Sequence, residues 1–256
     1  MSEESAITVD DLGTPVELTR PVRRIVSLVP SLTESVASVD PGAVVGATDW
    51  CTHPPDLDTA RIRGTKNPDV AAIVALAPDL VLANKEENRR RDVERLRAAG
   101  VPVWVTDIET VEQALTSLGR LFHEALGWDE PAWLDEARAA WSVAGPEETV
   151  DVVIPVWRDP WMVVGGSTFT GDLAARLGWR NVFASATGVS GRYPHTTIEA
   201  ILERRPQLIV LPDEPYVFTA QDGPEAFPGI ETRLVSGRLL TWYGPSLATA
   251  RADLLG

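Results

Sequence analysis

Two decapeptides constrain the fold most strongly. Ile73–Leu82 (IVALAPDLVL) and Ile201–Val210 (ILERRPQLIV) share one plan: a helix end, a proline that cannot continue it, then an apolar strand-like run. Pro206 follows Pro78 by 128 residues, half of the 256-residue chain. A second echo lies nearby, where Val150–Val156 mirrors the strand-like Arg24–Val29 that precedes Pro30. Two echoes at similar spacing predict a duplicated α/β lobe, and a period this long excludes a solenoid.

The rest of the chain fits that plan. Ile7–Asp10 and Val16–Leu18 flank Asp11-Leu12-Gly13 and predict a small N-terminal hairpin. Ser31 with Glu34 three residues on matches a capping box, so the first strand runs into a helix start. Ala43–Ala47 is a second strand. Asp69 opens a helix through Leu76, and Asp79–Ala83 is the next strand. Glu87–Ala99 is a charged helix stopped by Gly100, followed by the strand Val101–Val105. Alternating strands and helices predict a mainly parallel sheet.

Val111, Leu115, Leu118, Phe122 and Leu126 recur at helical spacing. Gly127–Pro131 interrupts them, and Asp129 can cap a second piece carrying Trp133, Leu134, Ala137 and Trp141. The expected organisation is an N-terminal lobe over 1–108, a linking helix, kinked or in two pieces, over 109–145, and a C-terminal lobe over 146–256.

Charge and composition exclude several classes. With 23 Lys and Arg against 37 Asp and Glu, the net charge of −14 argues against a general nucleic-acid binder and against docking on anionic membrane. No apolar run reaches the roughly 18 residues of a membrane span. Cys51 is the single cysteine, so no intrachain disulfide is possible. Met1-Ser2-Glu3-Glu4-Ser5 has no basic or apolar signal region, which predicts a cytoplasmic chain as written. Nine Trp against three Tyr and five Phe is the compositional oddity. Most should pack the core, and a few can line a site for a large planar ligand.

In open parallel sheets ligands bind beyond the carboxyl ends of the strands. That rule selects Pro30–Thr33, Trp50–His53, Asn84–Arg89, Trp157–Trp161, Asp213–Tyr216 and Trp242–Ser246. Metal spacing is weak. Cys51, His53, His195 and Asp213 are the candidate ligands, short of a compact zinc motif. No nucleophile elbow, phosphate loop or dinucleotide fingerprint appears. Arg89-Arg90-Arg91 reads as a solvated face paired with Glu86, Glu87, Asp92 and Glu94.

Taken in order, several segments resemble the helical-backbone periplasmic binding proteins, which hold cobalamin, haem or ferric siderophores for ABC importers. They are Val9–Gly13, Arg24–Leu28, Pro30–Glu34, Gly46–Trp50 with Pro54-Pro55, Gly64–Asp69, Pro78–Leu82 and Pro206–Tyr216. The cobalamin-binding branch is the most similar. The resemblance implies two Rossmann-like lobes joined by a long helix, with the ligand in a cleft between them, no intrinsic cofactor, no catalytic residues, and a monomer. Trp50 and the Gly64-Thr65-Lys66 loop match ligand contacts by position.

The expected binding set is Ser31, Trp50, His53, Lys66, Trp157, Arg158, Tyr193, Tyr216, Trp242 and Tyr243. In the cobalamin binder each lobe also docks on the permease through a glutamate. Seven residues before Pro206 stands Glu199, whereas Ala71 stands seven before Pro78. An ABC permease is therefore a doubtful partner. An intracellular chelate sensor or chaperone is one rival reading. A metal-dependent enzyme using Cys51, His53, His195 and Asp213 is another.

Overall fold

The computed structural model describes residues 4–185 and 189–256. Met1, Ser2 and Glu3, where part of the targeting expectation falls, lie outside the described residues. The chain divides into two compact units. Unit 1 comprises Met1–Ile108, Glu112–Glu136 and Tyr243–Pro245. Unit 2 comprises Glu109–Val111, Ala137–Trp242 and Ser246–Gly256.

Unit 1 starts with the expected hairpin, β1 (Glu4–Val9) antiparallel to β2 (Pro15–Arg20). Asp10 makes the turn: its buried carboxylate accepts the amides of Leu12 and Thr14 at 3.0 and 2.8 Å and an Arg97 guanidinium N–H at 2.7 Å. The main sheet contains β3 (Ile25–Ser27), β4 (Val44–Ala47), β5 (Ala60–Arg61), β6 (Leu80–Asn84) and β7 (Val103–Thr106), all parallel. Their order across the sheet is β5-β4-β3-β6-β7. Every residue of β3, β6 and β7 is buried, as a sheet covered on both faces requires.

Helices α1 (Pro30–Ala37), α2 (Val70–Ala75) and α3 (Arg90–Ala98) connect these strands. The capping box at Ser31 does not form. Val29 is the N-cap and Pro30 occupies the first turn, where its missing N–H costs nothing, so Ser31 and Glu34 lie inside a buried helix. The charged helix starts at Arg90 rather than Glu87, because Asn84 and Asn88 fold residues 84–88 into a turn. Asn88 Oδ1 accepts the Asn84 amide at 2.8 Å, and Asn84 Oδ1 accepts that of Glu86 at 2.8 Å.

Unit 2 repeats the plan. Its sheet holds β8 (Val150–Val153), β11 (Trp179–Asn181), β12 (Leu208–Pro212) and β13 (Glu231–Val235) in the order β11-β8-β12-β13, again parallel. A short antiparallel pair, β9 (Pro155–Trp157) and β10 (Met162–Val163), leaves this sheet just after β8. Helices α6 (Phe169–Arg176), α7 (Val189–Arg192), α8 (Ile198–Glu203), α9 (Gly237–Thr241) and α10 (Leu247–Leu255) complete it.

The sequence echo is an echo of atoms. In unit 1, Asp79 Oδ2 accepts the Arg24 amide at 2.9 Å while the Asp79 amide donates to the Arg24 carbonyl at 2.8 Å. In unit 2, Gln207 Oε1 accepts the Asp151 amide at 2.9 Å and the Gln207 amide donates to the Asp151 carbonyl at 2.8 Å. Just before each proline, Ala77 and Arg205 take positive φ, 46° and 51°. Both sheets therefore grow outward from one strand, β3 or β8. The chain steps to one side first (β4, β11) and then to the other (β6, β12).

Over 109–145 the sequence predicts one helix, kinked or in two pieces, and the chain forms two helices. α4 (Val111–Arg120) runs on through π-type turns over Leu121–Leu126 and stops at Gly127, whose left-handed φ of 67° ends the helix. Then α5 (Ala132–Trp141) begins after Pro131, and the chain passes from unit 1 into unit 2 within it.

Candidate functional site

The reversal of strand order picks out one place in each sheet. In a doubly wound sheet the crevice outside the strand ends lies where successive connections diverge. In unit 1 that is between the ends of β3 and β6; in unit 2, between those of β8 and β12.

In unit 1 the chain itself occupies this place. The short segment Tyr243–Pro245 packs there. Tyr243, buried, donates its hydroxyl to Glu87 Oε1 at 2.7 Å, and Ser31 also hydrogen-bonds to it. Burial and the Glu87 charge hold its pKa well above the usual tyrosine value. A Cβ on Gly244 would stand 2.9 Å from Ser35 Oγ and 3.1 Å from the Ser31 carbonyl, so only glycine fits this approach. Ser31 and Tyr243 thus serve internal packing, and Trp242 is buried as well. These three, expected at the ligand, present no exposed face.

The ends of β4 and β5 remain open in unit 1. Trp50, on the loop after β4, is 67% exposed. The loop is held from below. Arg61, on β5, donates to the carbonyls of Thr48 and Cys51 at 3.0 and 2.9 Å, and the Asp49 amide donates to the Arg63 carbonyl at 3.0 Å. Cys51 is fully buried, its sulfur 3.0 Å from Thr33 Oγ1 and 3.2 Å from Thr48 Oγ1. Burial pushes its thiol pKa up, which suits an anchor and not a nucleophile or metal ligand. Gly64 lies against the Trp50 indole: a Cβ there would stand 3.2 Å from Nε1. Lys66 follows, its ammonium donating to the Glu86 carbonyl. His53 is half-buried, with Nδ1 3.2 Å from Thr52 Oγ1.

In unit 2 the divergence point carries aromatic faces. Trp157, at the end of β9, is 43% exposed. Tyr216, on the loop after β12, meets it edge to face, with ring centroids 5.7 Å apart and planes at 76°. Tyr216 rests in turn on Phe218 at 4.7 Å, and Phe218 stacks on buried Trp161 at 6.0 Å. The outer pair is thus backed by a continuous aromatic core. Arg158 is beside it, its guanidinium donating to Asp222 and Glu225 and lying 5.5 Å over the Trp161 ring. Tyr216 donates its hydroxyl to Asp222 at 2.7 Å, and that bond raises its pKa.

Tyr193 is half-buried and His195 exposed, both in unit 2 beyond α7. No group of three or more His, Cys, Asp and Glu able to hold a metal occurs among the described residues. The set Cys51, His53, His195 and Asp213 is not gathered, and Asp213 instead accepts the Gly237 amide at 2.6 Å.

Glu199 and Ala71 take equivalent places. Each is exposed in the first turn of its helix, two residues after an N-cap, Thr197 or Asp69, that accepts an amide. The Glu199 carboxyl lies below the usual carboxylate range, held down by its own backbone N–H and by Thr197.

A family model described as "Periplasmic binding protein" matches residues 25–222, from β3 through the aromatic loop after β12. The chain belongs to the periplasmic binding protein family. Among curated members, a vitamin B12-binding protein of Vibrio parahaemolyticus is 24% identical over 199 residues, 74% of this chain and 70% of that protein. An uncharacterised ABC transporter substrate-binding lipoprotein of Bacillus subtilis is 28% identical over 227 residues, 83% of this chain and 71% of that protein.

Solved members share the fold. The periplasmic vitamin B12-binding protein of Vibrio cholerae superimposes with a TM-score of 0.73 at 19% identity, over 92% of this chain and 96% of that one. A periplasmic haem-binding protein from Roseiflexus gives 0.76 at 21%, over 91% and 96%. The family consists of substrate-binding proteins, which does not favour the metal-dependent enzyme reading.

Proposed function

We propose that this periplasmic binding protein captures a large metal chelate with apolar faces, of the corrinoid or porphyrin kind, and acts as the substrate-binding component of an ABC importer. The observation that carries this reading is the Trp157–Tyr216 pair, an exposed indole against a half-buried phenol, where the strand connections of unit 2 diverge. A flat, rigid, apolar surface with little conformational freedom suits a macrocycle. Within unit 1, Trp50 is likewise exposed, on a loop that Arg61 fastens through the carbonyls of Thr48 and Cys51. The polar candidates are Lys66 and His53 in unit 1 and Tyr193 in unit 2. The vitamin B12- and haem-binding relatives supply the ligand class.

Binding is equilibrium capture without covalent chemistry. Corrinoids and porphyrins absorb where Trp emits, so titration should quench intrinsic fluorescence. Trp157→Ala and Trp50→Ala should each weaken binding by about 1–3 kcal/mol, roughly 5- to 150-fold. If cyanocobalamin, cobinamide, haem and a ferric siderophore all leave emission and melting temperature unchanged, the reading is wrong.

For delivery we propose docking through one charged anchor, Glu199, with the apolar Ala71 at the equivalent helix position. Losing one close charge pair across an interface costs about 2–5 kcal/mol. Docking to a cobalamin importer in lipid nanodiscs should therefore be weak and salt-sensitive, and Ala71→Glu should strengthen it. Submicromolar binding at physiological salt by the unaltered chain would contradict this.

A further inference from the structure

Arg158 looks at first like a ready partner for an acidic ligand, since it follows Trp157 directly. Its hydrogen bonds say otherwise. Nη1 is shared between Asp222 and Glu225, and Nε lies 3.8 Å from Asp159 Oδ2. Its guanidinium face is turned onto Trp161. The carboxylates are themselves held in place. Asp222 also accepts the Tyr216 hydroxyl, and Glu225 accepts the Gly223 amide. That amide, and then Arg158, hold the Glu225 carboxyl below the usual carboxylate range.

Three carboxylates therefore surround one guanidinium, leaving a local charge of about −2 at neutral pH. The excess is on the outside. The Asp159 side chain is 87% exposed and those of Asp222 and Glu225 nearly half, whereas that of Arg158 is 23% exposed. Tyr216, which forms half of the aromatic pair, is tied to the same cluster through Asp222, so a ligand on the pair meets this charge.

We infer that the cluster Arg158, Asp159, Asp222 and Glu225 sets ligand choice, favouring a macrocycle with an uncharged, amide-bearing rim over one with a carboxylate rim. The inference rests on chelate binding at the Trp157–Tyr216 pair and narrows it. Amide N–H groups can donate to the outward carboxylate oxygens. A dicarboxylate rim meets like charge instead, and Arg158, the cation beside the pair, is already committed to Asp222 and Glu225.

The test compares affinities within one protein. Cyanocobalamin, with its amide rim, is titrated beside two iron porphyrins, one carrying two propionates and the other the same groups as primary amides. The amide porphyrin should bind at least about tenfold more tightly than the dicarboxylate at low salt, with the gap narrowing as salt rises.

In Asp222→Asn/Glu225→Gln the local charge falls to about zero and Arg158 is released, so the amide-to-acid affinity ratio should drop by about tenfold. Asp159→Asn, at an exposed position whose left-handed φ of 56° asparagine also adopts, should lower the ratio by about threefold and serves if the double variant fails to fold. Equal affinity for the two porphyrins, or a ratio unmoved by Asp159→Asn, would overturn the inference while leaving chelate binding intact. If no chelate binds at all, the functional proposal itself fails.

Discussion

At the residue scale, two buried groups make different predictions. The Tyr243–Glu87 bond places a neutral phenol beside a carboxylate inside unit 1. Tyr243→Phe should cost about 1–3 kcal/mol of stability, as a hydrogen bond to a charged acceptor is lost, measurable by chemical denaturation. The folded pKa of Tyr243 is raised, so its contribution is complete below the unfolded value near 10 and is lost as pH rises beyond it, because the unfolded chain then gives up a proton that the folded chain keeps. Alkaline destabilisation above about pH 10 should therefore be smaller in Tyr243→Phe than in the parent protein. Cys51 should resist maleimide labelling at pH 8 until the chain unfolds, since its thiol is buried and its pKa raised. Fast labelling of the native protein would contradict its role as a loop anchor.

Trp50, Trp157 and Tyr216 were legible as strand-end residues, the places where an open sheet can take a ligand. Arg61 was not. Nothing local in the sequence marks its reach from a two-residue strand to the carbonyls under Trp50. The engagement of Arg158 was equally hidden, because Asp222 and Glu225 are more than 60 residues away in sequence. Tyr243 is the opposite case. It follows the expected pattern of a strand-end aromatic, yet chain return buries it in unit 1.

At the element scale, the duplicated helix–proline–strand unit was plain in the sequence because it is local. The proline stops the helix, and an apolar run has one fate in a covered parallel sheet. The short strands β5, β9 and β10 carry no such signal, as two or three residues show no periodicity and their pairing is decided by tertiary contact. The interruption at Gly127 was visible, but sequence left open whether it kinks one helix or separates two. The left-handed φ and the proximity of Arg20 settle this. A Cβ at position 127 would lie 2.9 Å from Arg20 Cβ. Gly127→Ala should cost about 1–2 kcal/mol from backbone strain alone, with a further penalty from that contact. A melting temperature equal to the parent's would show that the helix end tolerates a side chain.

At the scale of the whole molecule, a duplicated α/β chain has two equivalent strand-divergence points and uses them differently. In unit 1 the point is filled by Tyr243–Pro245; in unit 2 it carries the Trp157–Tyr216 pair. The net charge of −14 fits the same picture, since much of the acidity near the pair surrounds a single arginine. The central claim is that the pair in unit 2 receives a metal macrocycle. Native mass spectrometry of the protein, mixed with an equimolar panel of cyanocobalamin, cobinamide, haem and a ferric siderophore, addresses it most directly. The account predicts a one-to-one complex with a macrocycle, the amide-rimmed corrinoids ahead of haem, and its depletion in Trp157→Ala. A protein that stays free of every chelate, or a complex undiminished by Trp157→Ala, would contradict it.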